Sequence, residues 1–304
     1  MYPLVVGRAS IRAAVRCSRA HLAFGGAVLL ALTVAEAAGS DLREDLKDGL
    51  DARAIYSRVL ANRFDSGIHE FTIVSERGGR RQPMRIQLMW RRYDRESNEV
   101  KLGIVSRTLI RYLEPGDLRH TAYLVVDRLG GPDDQFLYLP SLGRVRRVSM
   151  RGLTIAGTDF SVEDFVPGDV DYARYSRIRN RYVGATLCFV IDAVPFEDVN
   201  STYSRIRLYV DRDRFVPLRI RYWDEAGVEV KDMRAPVSSI RQIEGRYFTT
   251  RAIMRHLQVD SWTQVYMDRF AANPRLPSRY FTKKQLETRY LIVPRNFTGE
   301  IRRY

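Results

Sequence analysis

Between residues 83 and 91 apolar and polar positions alternate. Met84, Ile86, Leu88 and Trp90 fall on one face, and Arg85, Gln87 and Arg91 on the other. Runs of the same period recur at 99–105, 118–127, 134–139, 182–192, 202–210, 214–222, 238–242, 247–255 and 261–267. In 205–210 Ile206, Leu208 and Val210 oppose Arg205, Arg207 and Tyr209. In 214–222 Val216, Leu218, Ile220 and Tyr222 oppose Arg219 and Arg221. Alternation of this kind predicts antiparallel strands with one dry and one wet face. Asp211-Arg212-Asp213 and Asp224-Glu225-Ala226-Gly227 are the expected hairpin turns between them.

Three stretches depart from the period of two. Ala52, Ile55, Tyr56, Val59 and Leu60 form one apolar stripe and predict a helix over 51–64. Around 158–170, Ser161-Val162-Glu163-Asp164 fits a capping box that Pro167 soon terminates, and Thr282-Lys283-Lys284-Gln285 fits a second one. Pro274 and Pro277 mark an extended linker before it. No internal repeat or domain boundary interrupts the pattern. A single sheet of about ten strands is long for a flat one, so it is expected to curl toward a barrel.

The N-terminus is of another kind. Arg8, Arg12, Arg16 and Arg19 precede an apolar run from Leu22 to Val34, followed by Ala35-Glu36-Ala37. Basic, apolar, then A-x-A is the pattern of a secretory signal peptide, here residues 1–37, with 38–50 a flexible leader and 51–304 the folded domain. The run is short for a bilayer span, which takes roughly 20 residues. The competing reading is an uncleaved segment tethering the chain to the inner membrane. No Cys follows the cleavage site, as a lipoprotein would require. Cys188 is alone in the mature chain, so no intramolecular disulfide is expected.

Charge narrows the partners. The chain carries 50 Lys+Arg against 36 Asp+Glu, a net +14; residues 1–37 hold four Arg and one Glu, so the remainder stands at about +11. The arginines recur singly along strands rather than in a patch, which argues for a solvated face and against a nucleic-acid footprint. For an exported protein, anionic lipid head groups are the more relevant polyanion.

Catalytic patterns are sparse. His69, His120 and His256 have no partner at metal-ligand spacing. Nucleophile-elbow, phosphate-loop and dinucleotide motifs are absent. Cys188 lies in an apolar strand, where a thiol is inert. Asp133-Asp134 and Glu163-Asp164 could in principle do acid–base work, but a tight turn and a helix cap already account for them. The expectation is a non-enzymatic protein without a cofactor or metal.

Two segments carry a resemblance. Asp133 to Pro140 (DDQFLYLP) runs on to Arg144-Val145-Arg146-Arg147-Val148, and Gly157 to Phe165 reads GTDFSVEDF. Together, and in this order, they resemble the outer membrane lipoprotein-sorting proteins, a LolA/LolB-like family, with Phe136 where Trp is common and Val162 and Phe165 as conservative departures. The likeness covers most of residues 50–290.

The resemblance implies a mainly β (α+β) fold: a strongly curved antiparallel sheet, an incomplete half-open barrel, with helices covering the concave face. It implies a periplasmic carrier that binds lipid or lipoprotein acyl chains in an apolar cavity and shuttles them between inner and outer membrane. Such a carrier makes transient membrane contact, works beside an exporter of the resistance-nodulation-division (RND) type, and binds no nucleic acid. Leu88, Trp90, Phe136, Tyr138, Phe160 and Phe165 are the candidate cavity residues. Arg146 and Arg147 are the candidate head-group or partner contacts. Met84, Met89, Met150, Met254 and Met267 offer an adaptable lining. The alternative is a non-catalytic envelope scaffold of the same fold with a filled core.

Overall fold

The computed structural model describes residues 49–129, 133–149, 154–155, 157–165, 168–199, 201–289 and 292. The signal-peptide segment 1–37 and nearly all of the leader lie outside the described residues, as do Met150 and Pro167.

The strands are Ser66–Arg77 (β1), Arg80–Arg92 (β2), Ile104–Glu114 (β3), Ala122–Arg128 (β4), Asp134–Leu139 (β5), Arg144–Arg147 (β6), Ala173–Val183 (β7), Thr186–Pro195 (β8), Arg205–Asp211 (β9), Pro217–Trp223 (β10), Glu229–Arg234 (β11), Ile240–Ile243 (β12), Arg246–Thr249 (β13), Arg251–His256 (β14) and Ser261–Ala272 (β15). Among the described residues, four short helices join them: Ala52–Ala61 (α1), Asn98–Lys101 (α2), Val162–Phe165 (α3) and Lys283–Glu287 (α4). Thirteen strands form one antiparallel sheet in the order β6-β5-β4-β3-β2-β1-β15-β14-β11-β10-β9-β8-β7, while β12 and β13 pair separately as a hairpin. The sheet is open: β6 and β7 are its two edges.

The sheet curves around α1. Tyr56 stacks on Tyr175 of β7 with ring centroids 4.8 Å apart, and Phe64 meets Phe270 of β15 at 5.1 Å. In a flat sheet β7 and β15, six positions apart, would be separated by about 29 Å. Tyr56 lies five helical steps before the end of α1 and Phe64 three residues beyond it, a stretch of at most about 18 Å. This short stretch reaches both strands, and side chains of β1–β4 meet those of β8–β10 in one core, so the sheet wraps around it. Register shifts in β1, β3, β7 and β10 interrupt the ladder and add local bend.

Both faces of the β1–β4 half are covered. On the concave side, Phe71, Ile73, Met84, Ile86, Leu88, Ile110, Tyr112, Tyr123 and Val125 join Phe189, Ile191, Ile206, Leu208 and Val210 from the other half in one core. Ile55 and Tyr56 of α1 and Val162 of α3 close over it. On the opposite side Ile68, Met89, Leu109, Leu124 and Phe136 pack under the C-terminal stretch through Leu276, Phe281 and Leu286.

The second layer is held by a buried arginine. Arg111 of β3 donates to the carbonyl oxygens of Gln285 and Thr288, both at 2.7 Å, and of Leu286 at 3.3 Å. These carbonyls lie at the end of α4, where a cation is favourable. The Thr282 cap forms as its sequence predicts, its hydroxyl accepting from Gln285 N at 3.2 Å.

Candidate functional site

A strap that includes residues 154–155 and 157–165 crosses the concave face, and its hydrogen bonds explain why the Gly157–Phe165 sequence is built as it is. Thr158 Oγ1 donates to Ile155 O at 2.7 Å, and Ile155 N to Phe160 O at 2.8 Å, closing a tight turn. Asp159 accepts from Ser261 Oγ at 2.5 Å and Thr263 Oγ1 at 2.9 Å, pinning the turn to β15. Ser161 N donates to Asp164 Oδ2 at 2.7 Å, as the capping box predicts.

A buried polar network then fixes the strap to the sheet. Asp164 accepts from Lys231 Nζ of β11 at 3.0 Å and from the Tyr203 hydroxyl at 2.9 Å, and Lys231 also donates to Tyr203 at 2.8 Å. Glu163 accepts from Thr202 N and Oγ1, each at 3.1 Å, and from Ser201 Oγ. Burial raises the Glu163 carboxyl above its ordinary range, a rise opposed by these donors, and burial pushes the Tyr203 hydroxyl up. Glu163 and Asp164 thus hold the strap in place, with the hydrogen bonds of a fastening rather than those of an acid–base pair.

The candidate residues divide between two faces. Leu88 and Phe160 are buried in the concave core, with Trp90 and Phe165 packed against it. Phe165 contacts Phe71 and Phe160 at centroid distances of 6.1 and 5.2 Å. Phe136 and Tyr138 belong to the opposite layer under α4, where Lys283 Nζ sits 4.3 Å from the Phe136 ring centroid. Parity places Phe136 and Tyr138 together, but with both faces apolar it does not say which face they share. Among the methionines, Met84, Met254 and Met267 lie in the concave core and Met89 on the other side.

Arg146 and Arg147 sit on the edge strand β6 and alternate in direction. Arg147 is opposite Phe136 and pairs with Asp134 at 2.6 Å, whereas Arg146 is opposite Leu137. They do not form one contact point.

The concave face is packed with the protein's own side chains. Clefts open at its margins: one of about 240 Å³ on the opposite side, beside Asp134, Phe136, Val145, Arg147 and Lys283, and one of about 260 Å³ at the rim of the β1–β2 hairpin. Among the described residues no group of three or more His, Cys, Asp or Glu is arranged to hold a metal ion. Burial pushes the Cys188 thiol up to about 12. His69 is wedged edge-on between Trp90 and Phe270, each at 4.5 Å, and burial lowers it to about 3.

The dispersed arginines are explained by the outer face. Arg207 and Arg219 each grip a carboxylate with two nitrogens, Asp192 at 2.6 and 2.8 Å and Asp232 at 2.8 and 2.9 Å. Arg205, Arg207 and Arg221 surround the Trp223 ring. The sequence shows the arginines on one face but not these partners, which lie on neighbouring strands.

A family model described as uncharacterized-protein-like matches residues 105–288, more than half of the chain. The chain belongs to that family. No curated protein matches it. Among solved structures it is similar to a domain from Vibrio parahaemolyticus described as outer membrane lipoprotein-sorting, at 21% identity and TM-score 0.69 over 78% of this chain and 98% of that one. A DUF1329 family protein from Desulfovibrio piger gives 23% and 0.69 over 77% and 98%. A LolA superfamily protein from Nitrosomonas europaea gives 19% and 0.63 over 78% and 100%. The fold is LolA-like, as the two sequence motifs imply: a curved, open antiparallel sheet with few helices.

Proposed function

We propose that this protein is a non-catalytic carrier of acyl chains, from lipid or lipoprotein, that works in the periplasm. The observation that carries the proposal is the concave apolar face of a LolA-like sheet, closed by a strap that polar side chains fasten at its margin. Apolar surface gathered on one side suits a hydrophobic ligand. A polar fastening can be exchanged for water when the strap lifts. The neighbour described as lipoprotein-sorting supports the choice of cargo. The signal-like N-terminus supports export, with the tethered form as its alternative. In this proposal the carrier shuttles cargo between the two membranes, touches each transiently, and has an RND-type exporter as its inner-membrane partner.

Reversible transfer constrains the mechanism. Each buried methylene is worth about 0.8 kcal/mol, so a chain leaves for another apolar site rather than for water. Leu88, Trp90, Phe160 and Phe165 are the residues proposed to meet the chain. Phe136 and Tyr138, on the other face, support the C-terminal layer. Mass spectrometry of organic extracts from the purified mature protein, with titration of a fluorescent fatty acid, tests the proposal. Co-purifying lipid and saturable probe binding are expected, and binding should weaken on Phe165→Ala but not on Phe136→Ala. Lipid-free protein that ignores the probe would sink it.

The packed concave face favours a second reading, an envelope scaffold of the same fold with a permanently filled core. No probe binding, with hydrogen exchange at 157–165 unchanged when the fatty acid is added, would favour this scaffold.

A further inference from the structure

The concave side of the β1–β2 hairpin changes character along its length. Cross-strand pairs run from Phe71 beside Ile86, through Ile73 beside Met84 and Ser75 beside Gln82, to Arg77 beside Arg80. Apolar gives way to neutral polar and then to cationic over six residues, about 20 Å of strand. That is the polarity profile of an anionic amphiphile, laid out on two adjacent strands.

A cleft of about 260 Å³ lies over the polar end, lined by Ser75, Arg77, Arg80, Gln82, Thr154 and Thr158. Pockets that enclose a whole drug-sized ligand run to roughly 300–1,000 Å³, so this one holds a head group and not an entire lipid. Gly157 adds its backbone at φ +76, and a Cβ there would stand 3.0 Å from Gln82 Oε1 and 3.5 Å from Met84 Cε. The strap therefore passes directly over the end of Met84, which is buried where the cleft meets the apolar core. Met84 is unbranched and can change its path more easily than a branched neighbour.

The charge in the cleft is available. Arg80 is exposed. Arg77 reaches Asp159 only at 3.7 Å, and the Asp159 oxygens already accept from Ser261 and Thr263. A planar guanidinium with its fork of donors fits phosphate oxygens two at a time. Gln82 and Thr154 add neutral donors beside it.

We propose that this cleft receives the phosphate group of an anionic amphiphile, whose acyl chain runs past a displaced Met84 onto the apolar track toward Trp90. The proposal rests on the acyl-carrier reading above and adds the head-group class and the end at which the ligand lies.

The test titrates the full mature chain with three probes below their aggregation limits: a lysophosphatidic acid, the monoacylglycerol of the same chain length, and glycerol 3-phosphate. Wild type is expected to bind the lysophosphatidic acid at least tenfold more tightly than the monoacylglycerol, and glycerol 3-phosphate far more weakly than either. R77Q/R80Q should abolish the preference while leaving monoacylglycerol binding and the thermal midpoint unchanged. R77K/R80K should retain part of it. A preference that survives R77Q/R80Q, or no preference in wild type, overturns the head-group assignment and leaves the acyl-carrier reading standing. Glycerol 3-phosphate binding as tightly as the lipid would overturn it in favour of a free phosphate-ester site. Failure of both acylated probes to bind overturns the acyl-carrier reading and this inference together.

Discussion

The Trp90 ring lies flat over Gly67, its partner across the β1–β2 ladder: a Cβ at residue 67 would fall 1.9 Å from Trp90 Cη2. Trp90 also donates from Nε1 to Phe64 O at 3.3 Å, so the ring cannot turn away without losing that bond. Gly67→Ala is expected to cost about 1–3 kcal/mol, the range for forcing extra volume into a packed site. Urea unfolding of the two proteins measures it. A loss under about 0.5 kcal/mol would mean that the ring moves freely.

Asp164 and Lys231 form a buried pair with side-chain exposures of 1% and 8%. Removing one partner of such a pair typically costs about 3–5 kcal/mol because the other charge is left buried alone. Lys231→Met should be that destabilising, and Lys231→Met with Asp164→Leu should recover much of the loss. Limited proteolysis should cut near the strap in the single variant before it cuts elsewhere. Equal losses in the single and double variants would contradict the pairing.

His69 gives a pH dependence with a definite sign. Its folded-state pKa is lowered to about 3 by burial, whereas the unfolded value is near 6.5. Between those values the unfolded chain binds the extra proton. Stability contributed by keeping His69 neutral is therefore complete above pH 6.5 and is lost as pH falls toward 3, by at most about 1.4 kcal/mol per unit. The stability curve of His69→Phe should fall less steeply over this window than that of wild type, and parallel curves would refute the assignment.

Arg111 ties the C-terminal layer down through three carbonyls. Arg111→Met keeps much of the side-chain volume but leaves those acceptors without their cation. Hydrogen bonds to a charged group contribute about 1.5–3 kcal/mol, so a loss of a few kcal/mol is expected. Hydrogen exchange should accelerate first at residues 283–288, while β8–β10 stay protected. Uniform acceleration across the sheet would show that the layer and the sheet open together.

The strands with strong alternation were legible, and so were their turns. β2, β9 and β10 fall where the pattern places them, and α1 falls within 51–64. β7 was not expected beyond its last residues because its sequence, ARYSRIRNRYV, offers few apolar residues, as suits an exposed edge. The 99–105 run split into α2 and the start of β3, because Ser97 caps a helical turn by accepting from Val100 N. The sidedness of Phe136 and Tyr138 was hidden for a different reason: the layer that covers them comes from residues 276–286, far along the chain. Arg111 was hidden too, since its partners are main-chain carbonyls about 175 residues away, and main-chain acceptors leave no mark on a sequence.

The two unpaired edges, β6 and β7, set the energy scale on which the interior can widen. In a closed barrel, expansion breaks a ladder of backbone hydrogen bonds. Here the ends of the sheet can splay apart with every ladder from β6 to β7 intact. What opposes the movement is packing between side chains and the polar fastening of the strap. Widening the interior therefore costs side-chain packing but no backbone ladder, and a ligand that fills the space between the two halves restores the apolar packing that the movement gives up.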